Sequence, residues 1–332
     1  MNKSDVVKNI IQDRGRLSFT KVKAFAPANI ALCKYWGKRN AELNLPVTSS
    51  LSISLDRLGT ETVLSLNENQ DVIFLNGQEL SHDTVFYRRI IEFFAPFRPD
   101  NIYFTMETKN NIPTAAGLAS SASGFAALVT ALNELFNMQL DKKELSILAR
   151  LGSGSACRSL YDGFVEWHAG TRSDGMDSYA ESLTNSWPDL RIGILTVTEK
   201  QKPKSSREAM AQTVKTSLFY RKWPERVKYD LAAIKEAIKS GDFELLGQTS
   251  ESNALAMHAT MIETLPAVFY WLPETIRVFH RVWELRQNRI PVYFTIDAGP
   301  NVKLLFSKES ENRIKEELPD LQIVKPFGTE NV

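Results

Sequence analysis

The sequence predicts an α+β protein of two domains, from three observations. Strand-like and helical segments mix along 332 residues without a regular β-α-β alternation, which argues against a doubly wound sheet. The chain is long enough for two hydrophobic cores. A new strand begins at 191, after the turn-forming residues 185–189, so we place the domain boundary near residue 190. The expected parts are a tail over 1–20, a first domain over 21–190 and a second over 191–332.

The first domain opens with strand patterns and continues with helices. Apolar alternation predicts strands over 21–32, 49–55, 60–66, 71–75, 102–108 and 163–167. Asn76-Gly77 is a hairpin turn signal. Helical spacing predicts helices over 83–94 and 125–136. Asp141 and Glu144 form a capping-box pattern that opens a third helix, which runs through Arg150.

The second domain reads as helices enclosed by strands. Strands are predicted over 191–198, 292–296 and 302–306, and helices over 206–221, 225–239, 242–258 and 273–287. The stretch 1–16 mixes charged and apolar residues, so it is not a signal peptide; we interpret it as a tail or a first amphipathic turn.

Composition excludes several function classes. A net charge of +1 argues against a nucleic-acid partner, and no apolar run approaches the ~20 residues that span a bilayer. The two cysteines, Cys33 and Cys157, are expected to be buried thiols in a reducing cytoplasm. The four histidines lack metal-ligand spacing, so we expect surface or core roles for them: His82, His168, His258 and His280.

The most informative stretch, 110–125, is a loop of small residues between a predicted strand and a helix. Unpaired N–H groups and the helix dipole at such a turn favour an anion such as phosphate. Gly117 permits close backbone approach, and Ser120, Ser121 and Ser123 add hydroxyls for phosphate or magnesium. Tight packing against a sheet is the structural alternative.

The order of residues in this loop is more specific than its composition. It lacks the endings of a P-loop or a dinucleotide-binding turn. The pattern Pro113-x-x-x-Gly117-Leu118-x-Ser120-Ser121-Ala122 resembles the phosphate loop of the GHMP kinase superfamily. The resemblance implies that ATP is bound by Pro113, Gly117, Leu118, Ala119, Ser120 and Ser121, with Mg²⁺ at Ser120 and Ser121.

A second cluster, 26–39, ends a strand with cations beside aromatic residues. Lys34, Lys38 and Arg39 suit a phosphorylated ligand, although a solvated strand end explains such a trio equally well. The string Lys-Tyr-Trp-Gly-Lys-Arg, followed by Leu45-Pro46-x-x-Ser49-Ser50-Leu51-Ser52, resembles the diphosphomevalonate decarboxylase family. That resemblance implies that Lys34 is catalytic and that Tyr35 and Lys38 bind the substrate.

Two further segments carry the same resemblance. Residues 149–159 form a Gly/Ser turn that ends in arginine, which without the resemblance reads as a surface or capping residue. A guanidinium also fits a carboxylate with two parallel bonds. The resemblance implies that Arg158 holds the substrate carboxylate, near Ser153 and Ser155.

Asp297 follows the apolar run 292–296, and by pattern alone it is interpreted as a turn former. The string Asp-Ala-Gly-Pro-Asn resembles the family's catalytic-aspartate motif.

The basic stretch 200–207 is by default a solvated flexible loop. Here the resemblance places Ser206 and Arg207 on the diphosphate of the substrate. It further implies an S5-like first domain, a ferredoxin-like second domain, and a cytoplasmic homodimer that converts 5-diphosphomevalonate and ATP into isopentenyl diphosphate, ADP, phosphate and CO₂. A mevalonate 3-kinase or a phosphomevalonate decarboxylase is the nearest alternative. A nucleotide-sensing or RNA-binding S5-like protein is the non-enzyme alternative.

Overall fold

The computed structural model describes residues 1–12, 14–99, 101–112, 120–200 and 202–328 of the chain. The first half contains α1 (Lys3–Ile11), β1 (Lys21–Cys33), β2 (Lys38–Asn40), β3 (Leu45–Pro46), β4 (Ser50–Asn67), β5 (Val72–Leu75), β6 (Gln78–Glu79), α2 (Val85–Phe94), β7 (Tyr103–Asn110), α3 (Ser120–Leu135), α4 (Lys142–Gly152), a 3-10 helix (Gly154–Leu160), β8 (Phe164–Trp167) and β9 (Ala180–Ser182).

The second half contains β10 (Leu190–Leu195), α5 (Ser206–Thr216), a 3-10 helix (Phe219–Lys222), α6 (Trp223–Ser240), α7 (Phe243–Ile262), α8 (Pro273–Gln287), β11 (Val292–Ile296), β12 (Val302–Ser307), a 3-10 helix (Lys308–Ser310), α9 (Glu311–Glu317) and β13 (Gln322–Val324). The α+β class is confirmed. The domain limits stay predictions.

The first sheet is built around the long strand β4. β1 pairs with it along one edge, while β7 and β8 share the other edge, and the order along the sheet is β6-β5-β7-β4-β8-β9. We expected two strands, 49–55 and 60–66, where the structure has one. The chain bends at Asp56 (φ 51°), and Gly59 lets β1 approach, since a Cβ there would lie 2.1 Å from the Ala26 carbonyl oxygen.

Helices α3 and α4 contribute to the hydrophobic core that the first sheet also lines. The apolar residues of α3 recur at helical spacing, and Leu128, Leu132 and Leu135 have no exposed surface. Fully burying such a side chain is worth about 1.5–3 kcal/mol. The capping box at α4 is confirmed, because Asp141 accepts from the Glu144 N–H and Glu144 from the Asp141 N–H. The helix therefore has a fixed start, and its last turn leads into the Gly/Ser turn.

The second sheet has the order β11-β12-β10-β13, and all of its strands are antiparallel. Helix α7 contacts β11, α6 and also β1 of the first half. A buried cluster joins Ile30 and Leu32 of β1 to Trp223, Leu246 and other residues of the second half. The end of β1 and the end of β11 are consequently packed around one helix.

Candidate active site

Lys34 follows the last residue of β1 and is 1% exposed. Its Nζ donates to the Ala31 carbonyl oxygen at 2.7 Å and to Asp297 Oδ1 at 2.8 Å. A buried ammonium is costly unless it is paired and hydrogen-bonded, and both conditions hold here. The two sequence motifs that contain Lys34 and Asp297 are thus brought into direct contact.

Asp297 follows β11 directly, and a third of its side-chain surface (33%) faces open space. Lys303 of β12 lies on its other side, with 3.6 Å between Nζ and Oδ2. Burial by itself would raise the pKa of Asp297, but the ammonium groups of Lys34 and Lys303 hold that pKa well below its usual range. The carboxylate is therefore ionised at neutral pH and has an accessible oxygen.

Helix α7 holds the backbone on both sides of this pair. Asn253 Oδ1 accepts from the Lys34 N–H at 2.8 Å, and His258 Nε2 lies 3.0 Å from the Asp297 carbonyl oxygen. Burial lowers the pKa of His258 to about 3, so the ring is neutral and Nε2 must carry the donated proton. One rigid helix thus sets the spacing between lysine and aspartate.

The side-chain amide nitrogen of Asn253 is fixed as well. Its Nδ2 donates to Asp230 Oδ2 at 2.8 Å, and Asp230 receives Arg226 Nε at 2.8 Å on both oxygens. These bonds fix the orientation of the amide and join α6 to the backbone of Lys34.

Arg158 lies in the 3-10 helix after α4 and is 3% exposed. Its Nε donates to Asn29 Oδ1 at 3.3 Å and its Nη1 to Ser50 Oγ at 2.6 Å. Its guanidinium carbon lies 5.8 Å from the ring centre of Trp167. Among the described residues no carboxylate forms an ion pair with it. The group is held rigidly by neutral partners, which leaves its charge available to an anion.

Ser153 and Ser155 lie half-buried in the turn before Arg158. Ser153 Oγ is 3.4 Å from Ser121 Oγ, so the start of α3 meets the end of α4 there. Tyr35 packs edge-on against Trp167, with ring centres 4.7 Å apart. Its hydroxyl is buried and has no hydrogen-bond partner in the described part of the chain. The candidate substrate residues of the two motifs therefore line one region.

Gly37 permits a backbone turn directly after Tyr35 and Trp36. Its φ is +113°, and a Cβ would lie 1.7 Å from the Tyr220 hydroxyl oxygen. That hydroxyl donates to the Trp36 carbonyl oxygen at 3.2 Å. The backbone conformation and the nearby Tyr220 hydroxyl therefore explain why glycine follows tryptophan in the motif.

Lys38, Ser206 and Arg207 are the remaining candidate substrate residues. Lys38 Nζ donates to Asn44 Oδ1 at 2.6 Å, and burial, reinforced by repulsion from Arg207, Lys3 and Arg89, lowers the pKa of Lys38 to about 8. Ser206 and Arg207 begin α5, and the first is half-buried while the second is exposed.

Part of the predicted phosphate loop lies outside the described residues, namely Pro113, Gly117, Leu118 and Ala119. Ser120 begins α3, and its side chain is likewise not described. Ser121 is half-buried and faces Ser153. Ser123 is fully buried and hydrogen-bonded to Thr60 at 2.7 Å, which is a packing role and not a ligand role.

Sequence analysis missed several residues around Asp297. Asn253 and His258 carried no signal beyond a helical pattern. Lys303 did carry one, because a lysine inside the apolar strand 302–306 must be buried and needs a partner. Lys202 was treated as part of a flexible loop, yet its Nζ donates to the Ala298 carbonyl oxygen at 2.8 Å and lies 3.5 Å from Ser206 Oγ.

The expectation for the two cysteines is met. Cys33 and Cys157 are buried free thiols. The described residues contain no cluster of histidine, cysteine, aspartate and glutamate that suits a metal ion. Within the same part of the chain, every helix is too short or too polar to cross a membrane.

This fold, with an ionised aspartate between two lysines beside a buried arginine, defines a member of the GHMP kinase superfamily. A family model described as the diphosphomevalonate decarboxylase-like N-terminal domain matches residues 26–180, and one described as the mevalonate 5-diphosphate decarboxylase C-terminal domain matches 192–325. The chain belongs to the diphosphomevalonate decarboxylase family.

Individual relatives agree with the family models. The chain is 38% identical over 307 residues to a diphosphomevalonate decarboxylase of Candida albicans, covering 87% of this chain and 85% of the relative. The crystal structure of mevalonate diphosphate decarboxylase from Staphylococcus aureus matches with a TM-score of 0.87 and 40% identity, over 92% of this chain and 95% of that one. A solved complex of MDDEF with MVAPP, AMPPCP and magnesium matches with a TM-score of 0.86 and 40% identity, over 93% and 98% of the two chains.

Proposed function

We propose that this protein is an ATP-dependent decarboxylase that converts 5-diphosphomevalonate into isopentenyl diphosphate, releasing ADP, phosphate and CO₂. The observation that carries the proposal is the Lys34–Asp297 pair, with 2.8 Å between Nζ and Oδ1 and the Arg158 guanidinium adding to the positive field at the same carboxylate. The names of the relatives and the compounds in the MDDEF complex support the same substrates.

The first step needs an oriented hydroxyl. The tertiary hydroxyl oxygen attacks the γ-phosphorus of ATP, the bond to ADP breaks, and Asp297 accepts the hydroxyl proton as the new P–O bond forms. An aspartate with a depressed pKa is a weak base, but a loose phosphoryl-transfer transition state leaves little charge on the attacking oxygen until late. The accessible carboxylate oxygen therefore has two roles: it orients the hydroxyl for attack, and it receives the proton as the new P–O bond is completed.

The second step needs an oriented carboxylate. The C–O bond to the new phosphate breaks, and the electron pair of the C–C bond to the carboxylate forms the double bond while CO₂ leaves. Arg158 would hold that carboxylate in line, because its planar fork is fixed by Asn29 and Ser50. Ser153 and Ser155 would lie beside it, and the ammonium of Lys34 would stabilise phosphate charge.

The remote diphosphate would position the reacting end. Tyr35, Lys38, Ser206 and Arg207 are the residues we assign to it, and the uncompensated charges of Lys38 and Arg207 support that assignment. Binding energy gained away from the chemistry can in this way be used to fix the hydroxyl and the carboxylate.

ATP would bind at the start of α3, with the loop of Pro113, Gly117, Leu118 and Ala119 on its phosphates and Ser120 and Ser121 near the metal. The donor set fits, since a helix start offers free N–H groups to phosphate oxygens and a serine hydroxyl is a suitable oxygen ligand. Mg²⁺ would supply charge neutralisation on the phosphates. Magnesium in the MDDEF complex supports this expectation.

One assay tests the proposal. ADP and CO₂ release are measured from mevalonate, its 5-phosphate and its 5-diphosphate. We expect equal amounts of both products from the 5-diphosphate, and a kcat/KM about tenfold to a hundredfold above that for the 5-phosphate, the worth of one charge-assisted contact. ADP without CO₂ would indicate a 3-kinase. Equal kcat/KM values for the two phosphates would contradict the substrate assignment.

Location and assembly complete the proposal. We infer a cytoplasmic enzyme, which the two buried free thiols support because they suit a reducing compartment. The homodimer is expected from the family resemblance, and sedimentation of the purified protein tests it.

A further inference from the structure

The N-terminal stretch contains an amphipathic helix, the second of the two interpretations of this stretch, and the helix packs on the first half of the chain. Val6, Val7 and Ile10 of α1 are buried in the same core as α2 and α4. Asn2 and Asp5 form a capping box at its start. The helix lies outside the region that the family model matches, which begins at residue 26.

An ion pair joins the segment after α1 to α4. Arg14, just after the helix, pairs with Glu144 in the first turn of α4, with 2.5 Å between Nη2 and Oε1. The residues that follow α1 therefore lie at the start of α4, and the two helices are in contact. Lys3, in the first turn of α1, lies close enough to Arg89 and Arg207 to be repelled by both, and Arg89 is bonded to the last residue of α4.

Two of the site's cations are held at the last turn of α4. Arg89 of α2 donates from Nη2 to the Gly152 carbonyl oxygen at 3.2 Å. Asn44 donates from Nδ2 to the Leu151 carbonyl oxygen at 3.1 Å, while its Oδ1 receives Lys38. Lys3, Arg89 and Lys38 thus converge beside the Gly/Ser turn.

These cations form a cluster in which, among the described residues, none forms an ion pair with a carboxylate. Burial is the largest cause that lowers the pKa of Lys3, of Lys38 and of Arg89, and repulsion from Arg207 follows for each. Glu92 and Glu42 offset the repulsion at Lys3 from a distance, but no ion pair joins either to the cluster in the described residues. Four cations kept together at an electrostatic cost are arranged to bind a polyanion.

We propose that Lys3 binds the terminal phosphate of the substrate's diphosphate together with Lys38, Arg89 and Arg207, so that α1 forms one wall of the substrate site. This inference rests on the proposed function and deepens it. It assigns a substrate contact to a helix whose sequence lies outside the family motifs.

The test compares Lys3→Gln with Lys8→Gln, which removes an exposed charge from the same helix. Titration calorimetry measures the affinity for inorganic pyrophosphate with ADP saturating the nucleotide site, and steady-state assays measure KM and kcat. We expect Lys3→Gln to weaken pyrophosphate binding and to lower kcat/KM for 5-diphosphomevalonate by about tenfold or more, while KM for ATP stays within about twofold. Lys3→Arg should keep the affinity, and Lys8→Gln should match wild type.

The result that overturns the inference is a Lys3→Gln protein with wild-type melting temperature, pyrophosphate affinity and kcat/KM. The pyrophosphate titration needs no turnover, so the two proposals can fail separately. Turnover without a Lys3 effect would reject this inference alone. A Lys3-dependent pyrophosphate affinity in a wild-type protein that does not process 5-diphosphomevalonate would support the phosphate site and reject the proposed function.

Discussion

Lys34 Nζ and Asp297 Oδ1 lie 2.8 Å apart although 263 positions separate the two residues in the chain. Local chain geometry cannot bring the two side chains together. Asn253 holds the backbone of one and His258 the backbone of the other, five positions apart on α7. The pair is therefore a product of tertiary packing around a single helix, and each prediction below tests one part of that arrangement.

The first prediction concerns Asp297→Asn, which is nearly isosteric. ATP binding should survive, because the amide still fits between Lys34 and Lys303, but the loss of the carboxylate between two buried ammonium groups should lower the free energy of unfolding by about 3–5 kcal/mol. The amide cannot accept the hydroxyl proton, so kcat should fall about a thousandfold or more. Steady-state ADP release and a direct ATP titration check this. A mutant that keeps more than about a tenth of the wild-type rate would place the proton acceptor elsewhere.

Arg158→Lys tests the carboxylate contact. Lysine preserves the charge but loses the fork that donates to Asn29 and Ser50 and aligns the carboxylate. We expect a normally folded protein whose kcat is lower than that of wild type by about a hundredfold or more. Single-turnover CO₂ release is the measurement. A near wild-type kcat would remove Arg158 from this role.

Asn253→Ala tests whether α7 positions the catalytic pair. The change leaves the buried Lys34 N–H without its partner, which costs about 1–3 kcal/mol, and removes one of the two bonds to Asp230 Oδ2. Because the lysine and the aspartate then lose their fixed spacing, kcat should drop about tenfold to a hundredfold while KM for ATP stays unchanged.

The matched control for Asn253 is Glu244→Gln, an exposed position on the same helix. Thermal melting of both variants separates loss of stability from loss of positioning. If Asn253→Ala loses stability but retains kcat at a temperature where it is folded, the bond is only structural.

Lys38 gives a pH dependence with a defined sign. Burial and the neighbouring cations lower the pKa of Lys38 to about 8, so the free enzyme loses this positive charge as pH rises through about 8. The kcat/KM for the diphosphate substrate reports the free enzyme and should therefore decline above that pH. Lys38→Arg, whose charge persists to above pH 12, should move the decline to higher pH. Identical profiles for the two proteins would show that another group controls the decline.

The same shift predicts how folding stability changes with pH. The folded pKa of Lys38 lies below the unfolded value of 10.5, so the unfolded chain binds more protons between the two values. The free energy of unfolding contributed by Lys38 should therefore rise from about pH 8 to about pH 10.5. Denaturant titrations of wild type and Lys38→Arg across this range show the difference.

The sequence by itself determined the local structure and the identity of the motifs. The capping box of α4, the Asn76-Gly77 turn and the apolar strands before Lys34 and Asp297 could all be predicted, since each depends on a few neighbouring residues. The motif strings also fixed the family. The long strand β4 was predicted as two, because the pairing that bridges its bend comes from distant strands.

Tertiary structure decided which of these pieces meet. Lys303 beside Asp297, Asn253 behind Lys34 and Lys3 near Arg89 have no short-range pattern that links them to the site. Hydrophobic periodicity reports which face of a segment is buried, but not which other segment covers it. Helix α1 is the clearest case, because nine residues with three buried side chains resemble a tail until the core they pack against is known.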